Sequence, residues 1–113
     1  MRRAIVHLEL HTPGLPAACA YYRELLGWRP ERVTTTPWPY VAIDAGLSAG
    51  VVACGAIAPV WIPYVEVSDV DDATARALAL GASQVLAPRT GPTGRRAVVR
   101  SVSAGDLAFW AAS

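Results

Sequence analysis

The 113-residue sequence contains no lysine; all ten of its basic residues are arginine. No physical requirement of a fold accounts for that bias, and it reads as codon usage. With nine acidic residues the formal net charge is only +1. So small an excess excludes a general nucleic-acid role, which needs a strongly basic face. Cysteine is also scarce. Cys19 and Cys54 are too few for a disulfide framework and lack a C-x-x-C partner, so they are read as buried free thiols. No apolar run approaches the ~20 residues that span a bilayer, because proline, glycine or a charge interrupts each one. Met1-Arg2-Arg3 leads directly into a strand pattern with no signal-peptide core, which makes a cytoplasmic location the expectation.

What is abundant is apolar surface. Hydrophobic residues make up 53% of the sequence and charged residues 17%. That excess predicts a pocket or a subunit interface beside the core of one domain. The most informative stretch is Ala4–His11, Ala-Ile-Val-His-Leu-Glu-Leu-His. Strict alternation from Val6 reads as a half-buried strand. Val6, Leu8 and Leu10 would face a packed layer, and His7, Glu9 and His11 the other side. Both histidines of the protein thus share one strand face with a glutamate.

The chain continues with a turn over residues 12–16 and a helix over 16–26. Pro16 suits the first helical turn, and Leu15, Ala18, Cys19, Tyr22, Leu25 and Leu26 form its apolar stripe. Gly27 caps it. Strands are predicted over Trp28–Thr36, Tyr40–Asp44 and Val51–Ile57, the last preceded by Gly50. The second half repeats this order: a strand over Trp61–Val67, a helix capped by Asp69 with Val70, Ala73, Ala77 and Leu80 apolar, then Gly81. Strands follow at Gln84–Ala87, Arg96–Val102 and Asp106–Ala111, with a hairpin turn at Gly91–Gly94. Leu26-Gly27 and Leu80-Gly81 lie 54 residues apart, Gly50 and Gly105 lie 55 apart, and Leu8-Glu9-Leu10 lies 57 before Val65-Glu66-Val67. The spacing predicts one α+β domain, residues 1–113, of two βαβββ modules at about 1–58 and 59–113.

Ile5–Leu10, Ala20-Tyr21-Tyr22-Arg23-Glu24-Leu25-Leu26-Gly27-Trp28 and Tyr64-Val65-Glu66-Val67-Ser68-Asp69-Val70-Asp71 together resemble the vicinal oxygen chelate superfamily. That superfamily groups glyoxalase I, bleomycin-resistance proteins and extradiol dioxygenases. The resemblance covers nearly the whole chain. It implies that the modules roll into a cup-shaped, partly open barrel around a small-molecule site, and that subunits form a homodimer. In metal-dependent members the ligand positions would fall on His7, Ile62, Val52 or Cys54, and Phe109. Only His7 is a ligand, so neither a metal nor another cofactor is expected. The family's closing turn is replaced by Ser101–Gly105, of which only Gly105 survives.

The cup would then be lined by His7, Glu9, His11, Tyr64, Glu66, Leu107 and Phe109, with Trp38 and Tyr40 joining them. Aromatic walls with few polar groups suit a flat small molecule. The leading expectation is a metal-independent binding protein of the bleomycin-resistance type, sequestering an antibiotic or carrying a biosynthetic intermediate. The alternative is a small isomerase, cyclase or lyase. In it Glu9, Glu66 and His7 would move protons, since buried glutamates hold protons more tightly and histidine titrates near neutrality. A metal-dependent glyoxalase or dioxygenase is a third reading. The bland alternatives are solvated histidines, and structural pairing of Glu9 or Glu66 with Arg100 or Arg23. Arg89, Arg95 and Arg96 flank the hairpin turn as a solvated tip, or close over an anionic ligand. Gly91–Gly94 lacks the helix and lysine of a phosphate loop.

Overall fold

A computed structural model of the chain describes residues 3–33, 40–55, 58–91 and 93–112. The elements are β1 (Ile5–Thr12), α1 (Leu15–Leu26), β2 (Pro30–Arg32), β3 (Tyr40–Asp44), β4 (Ser48–Ala53), β5 (Val60–Glu66), α2 (Val70–Ala79), β6 (Ser83–Gly91), β7 (Gly94–Ser101) and β8 (Gly105–Ala111). The β-α-β-β-β order therefore occurs twice, as the repeat in the sequence predicts. By contacts the chain forms two compact units, His7–Ile62 and a second that joins the residues up to Val6 to those from Pro63 onward. The units depart from the sequence repeat at the strand starts. The Glu66 N–H donates to the Ala4 carbonyl at 3.0 Å, while Trp61 packs with α1.

In the His7–Ile62 unit the strand order is β2-β3-β4-β1, with β1 parallel to β4. Register sets Leu8 beside Ala49 and Leu10 beside Val51, with Val41 opposite Val51 and Ile43 opposite Ala49. These six side chains form one face and pack on Leu15, Ala18, Cys19 and Tyr22 of α1. Each fully buried aliphatic side chain contributes roughly 1.5–3 kcal/mol. α1 has no side-chain N-cap and begins with Pro16 in its first turn, so packing holds it more than capping does. The Tyr22 ring stacks on Trp28 at 5.3 Å, and its hydroxyl accepts from the Trp61 indole N–H at 3.1 Å. The predicted stripe stops there: Leu25 and Leu26 are 58% and 52% exposed.

Two further boundaries differ from expectation. β4 starts at Ser48 instead of Val51, so Gly50 lies inside the strand. Of the expected strand over Trp28–Thr36, the described part holds only Pro30–Arg32; Thr34–Thr36 lie outside the described residues, as does Trp38.

In the second unit the order is β5-β8-β7-β6, with β5 parallel to β8. Val65 lies beside Phe109, and Phe109 opposite Ala97. This face packs with Val67, Val70, Ala73 and Ala111 under α2. The α2 N-terminus is capped as predicted, the Asp69 carboxylate accepting from the Asp72 N–H at 3.0 Å. Leu80, expected in the stripe, is 89% exposed just past the helix end. β6 is nine residues long where the sequence suggested four, because two register shifts let it follow β7 through irregular pairing.

Candidate functional site

The face of the first unit turned away from α1 is built by the other parity of the same strands. Glu9 lies beside Gly50 and His11 beside Val52, with Tyr40 opposite Val52 and Ala42 opposite Gly50. Alternation puts His7 and Ser48 on that face too. Glu9 is only 4% exposed, yet its carboxylate is fully engaged. His7 Nε2 lies 3.1 Å from Oε2, and His11 Nε2 lies 2.8 Å from Oε1. On the far side of the His7 ring, Nδ1 is 2.7 Å from the Ser48 hydroxyl. The Tyr40 hydroxyl sits 3.2 Å from His7 Nε2.

An ionised carboxylate only accepts, so both Nε2 atoms carry the protons of these bonds. His7 Nδ1 then accepts from the Ser48 hydroxyl. The row His11–Glu9–His7–Ser48 is thus one line of hydrogen bonds with a defined direction at each link. No side chain or backbone group among the described residues pairs with His11 Nδ1, which in this tautomer carries a lone pair. An imidazole held by a buried carboxylate through one nitrogen, with a lone pair on the other, is the arrangement of a general base. Glu9 orients the rings; with both oxygens occupied it is a positioning group.

Gly50 makes this geometry possible. A Cβ there would run into the Tyr40 hydroxyl and ring, so only glycine lets the phenol lie across β4 toward His7. Neither Gly50 nor Ser48 was singled out for the site from sequence, because β4 was expected to start three residues later. With the strand started at Ser48, the alternation Ser48, Gly50, Val52 shows both on the His7 face.

The remaining expected residues belong to the other unit. Tyr64 is 4% exposed, and its hydroxyl accepts from Arg96 Nη1 at 2.7 Å. Glu66 is exposed and shares a rung with Trp110. Leu107 and Phe109 lie on the opposite face of β8, the α2 side, with Phe109 in the core cluster. The expected parity of β8 was off by one, and Trp110 occupies the face assigned to Phe109. Glu9 pairs with histidines and not with Arg100 or Arg23, and Arg100 instead makes a two-bond pair with Asp106, at 2.7 and 2.9 Å.

With the geometry in place, comparison with known proteins decides the family. The model of the glyoxalase/bleomycin resistance protein/dioxygenase superfamily matches residues 4–106. The chain belongs to that superfamily. No curated protein matches it. Among solved structures, a hypothetical protein from Bacillus halodurans is similar with a TM-score of 0.65 at 10% identity, over 97% of this chain and 94% of that one. Methylmalonyl-CoA epimerase from Mycobacterium tuberculosis gives 0.57 at 14%, over 100% and 93%. A structure described as NAD-dependent benzaldehyde dehydrogenase from Legionella pneumophila gives 0.60 at 14%, over 95% and 98%. At these identities the likeness establishes the α+β glyoxalase-like fold.

Metal-dependent chemistry in the glyoxalase superfamily asks for a set of donor side chains, and the corresponding positions here do not supply one. Ile62 and Val52 are buried aliphatic residues and Phe109 is in the core cluster. His7 has both ring nitrogens engaged. Among the described residues no group of three or more His, Cys, Asp or Glu is placed to hold an ion. None of their helices is long and apolar enough to cross a membrane.

Proposed function

We propose that this glyoxalase-superfamily protein binds a small molecule over the polar face of β1 and moves a proton on it, with His11 as the base and Glu9 as its positioning group. One observation carries the reading: the buried Glu9 carboxylate holds both imidazoles and directs the His11 Nδ1 lone pair away from itself. Proton transfer next to a carbonyl, as in isomerisation or epimerisation, needs a base of this kind and a binding surface. His7 and Ser48 extend the hydrogen-bonded line to an exposed hydroxyl through which a proton can leave. The methylmalonyl-CoA epimerases among similar structures suggest the substrate class to try first, acyl thioesters and related acids with an acidic α-hydrogen.

The test is proton exchange in D2O. Methylmalonyl-CoA and simpler α-substituted acyl thioesters are incubated with the protein and chelator, and loss of the α-proton is followed by NMR. Catalysed exchange is expected to survive chelator. In H11Q it falls to background, and E9Q, which disturbs the tautomer without emptying the site, lowers it by about 10²- to 10⁴-fold. Exchange equal in wild type and H11Q would sink the assignment.

A second reading is retention without turnover, for an antibiotic or a natural-product intermediate. It is favoured by the completeness of the polar network, since every buried side-chain polar atom of the described residues has a partner and the face is a fixed wall. A small molecule that copurifies at unchanged mass and exchanges no proton would select it. In either reading the protein works as a homodimer.

A further inference from the structure

In the second unit, the register of β6 against β7 places Arg89 directly opposite Arg96. Like charges in that position repel, with Cβ atoms roughly 5 Å apart. The pairing is produced by an irregularity. Leu86 pairs with Val98, so regular alternation would bring Pro88 opposite Arg96, and a register shift between Leu86 and Arg89 brings Arg89 there instead. Bulges on edge strands often re-aim a side chain in this way. Thr90 and Arg95, the next pair, point to the α2 side, where Arg95 is bound to Asp71.

The Arg96 guanidinium is fixed by a built contact. Its Nη1 donates to the hydroxyl of Tyr64, a side chain buried on β5. Trp110 lies beside Arg96 on the same rung. The indole is accommodated by Gly94: a Cβ there would meet the Ala111 carbonyl and lie 2.8 Å from the indole nitrogen, and its φ of +149° suits glycine. Trp110, Arg96 and Arg89 therefore follow one another across three strands on one face. Elsewhere on that face Arg100 is neutralised by Asp106, whereas no carboxylate among the described residues pairs with Arg89.

We propose that Arg89 and Arg96 form an anion site for a planar carboxylate whose flat body lies against Trp110. Two guanidinium forks on neighbouring strands match the two oxygens of a carboxylate, and an indole face takes a conjugated ring or acyl plane. The repulsion between the arginines is then relieved by the ligand. This site stands on the second unit and does not depend on the His11 reading.

The experiment is calorimetric titration with benzoate, cyclohexanecarboxylate and inorganic phosphate. Saturable benzoate binding is expected, tighter than for the puckered acid or phosphate. R89Q and R96Q each weaken it about tenfold, as loss of a charge-assisted hydrogen bond predicts, while R100Q leaves it unchanged. W110L removes the preference for benzoate over cyclohexanecarboxylate. Without ligand, R89Q melts at a higher temperature than wild type, the opposite of what a structural role for Arg89 would give. Equal benzoate affinity in wild type and R89Q/R96Q, or no saturable binding of benzoate, overturns the proposal. Tighter binding of phosphate than of benzoate overturns the choice of a planar carboxylate.

Discussion

Gly50 has no room for a side chain, and the reason lies on the neighbouring strand, where the Tyr40 phenol covers it. G50A therefore drives Tyr40 off its position or bends β4, at a cost of about 1–3 kcal/mol in urea unfolding. In a Y40A background the same change should cost almost nothing, because the colliding ring is gone. An undiminished cost there would place the constraint in the backbone of β4 instead. At this scale the sequence was partly legible. His7, Glu9 and His11 share a face because alternation is a local property, visible in eight consecutive residues. Their roles were not visible. Which oxygen of Glu9 meets which ring, and that Ser48 closes the line, depend on a parallel neighbour some forty residues away.

Among elements, α2 shows how helix and sheet are tied at the surface. Arg95 on β7 donates from Nε and Nη2 to the two oxygens of Asp71 in the first turn of α2, at 2.7 and 2.8 Å. The hydrogen bond from Arg95, more than its charge, holds the Asp71 carboxyl below the usual carboxylate range. A folded value lowered in this way means the pair stabilises above the unfolded carboxylate value and loses its effect as pH falls through the folded one. Wild type should thus melt slightly above D71N at neutral pH and together with it in strong acid. Both partners are exposed, so the difference is small and shrinks further in high salt. A difference that persisted in strong acid would mean that Asp71 acts through helix capping or packing. The element order was readable from caps and glycines, since Gly27, Asp69 and Gly81 sit where the helices begin or end. The β6 irregularities and the parity of β8 were not, because both are set by which residue of a partner strand each one meets.

For the whole chain, the two modules share an order of elements but not a chemistry. The glutamate that the repeat aligns is buried between two histidines in one case, as Glu9, and exposed beside Trp110 in the other, as Glu66. Duplicated backbone pattern thus says where a side chain stands in its module and little about what surrounds it. The same scale carries the expectation of a homodimer. More than half of the sequence is hydrophobic. On α1, Tyr21, Leu25 and Leu26 remain 59%, 58% and 52% exposed at adjoining helical positions. A second copy of the chain is the occupant that would cover such a patch in a purified protein. Native mass spectrometry before and after chelator addresses this and the donor set together. The expected species has twice the 11.9 kDa mass of the chain, loses nothing to chelator, and dissociates in L25K. A monomer at micromolar concentration would remove the dimer from the account. A stoichiometric ion released by chelator would show that residues other than the family positions assemble a metal centre, and His11 would then have to be reconsidered as a ligand instead of a base.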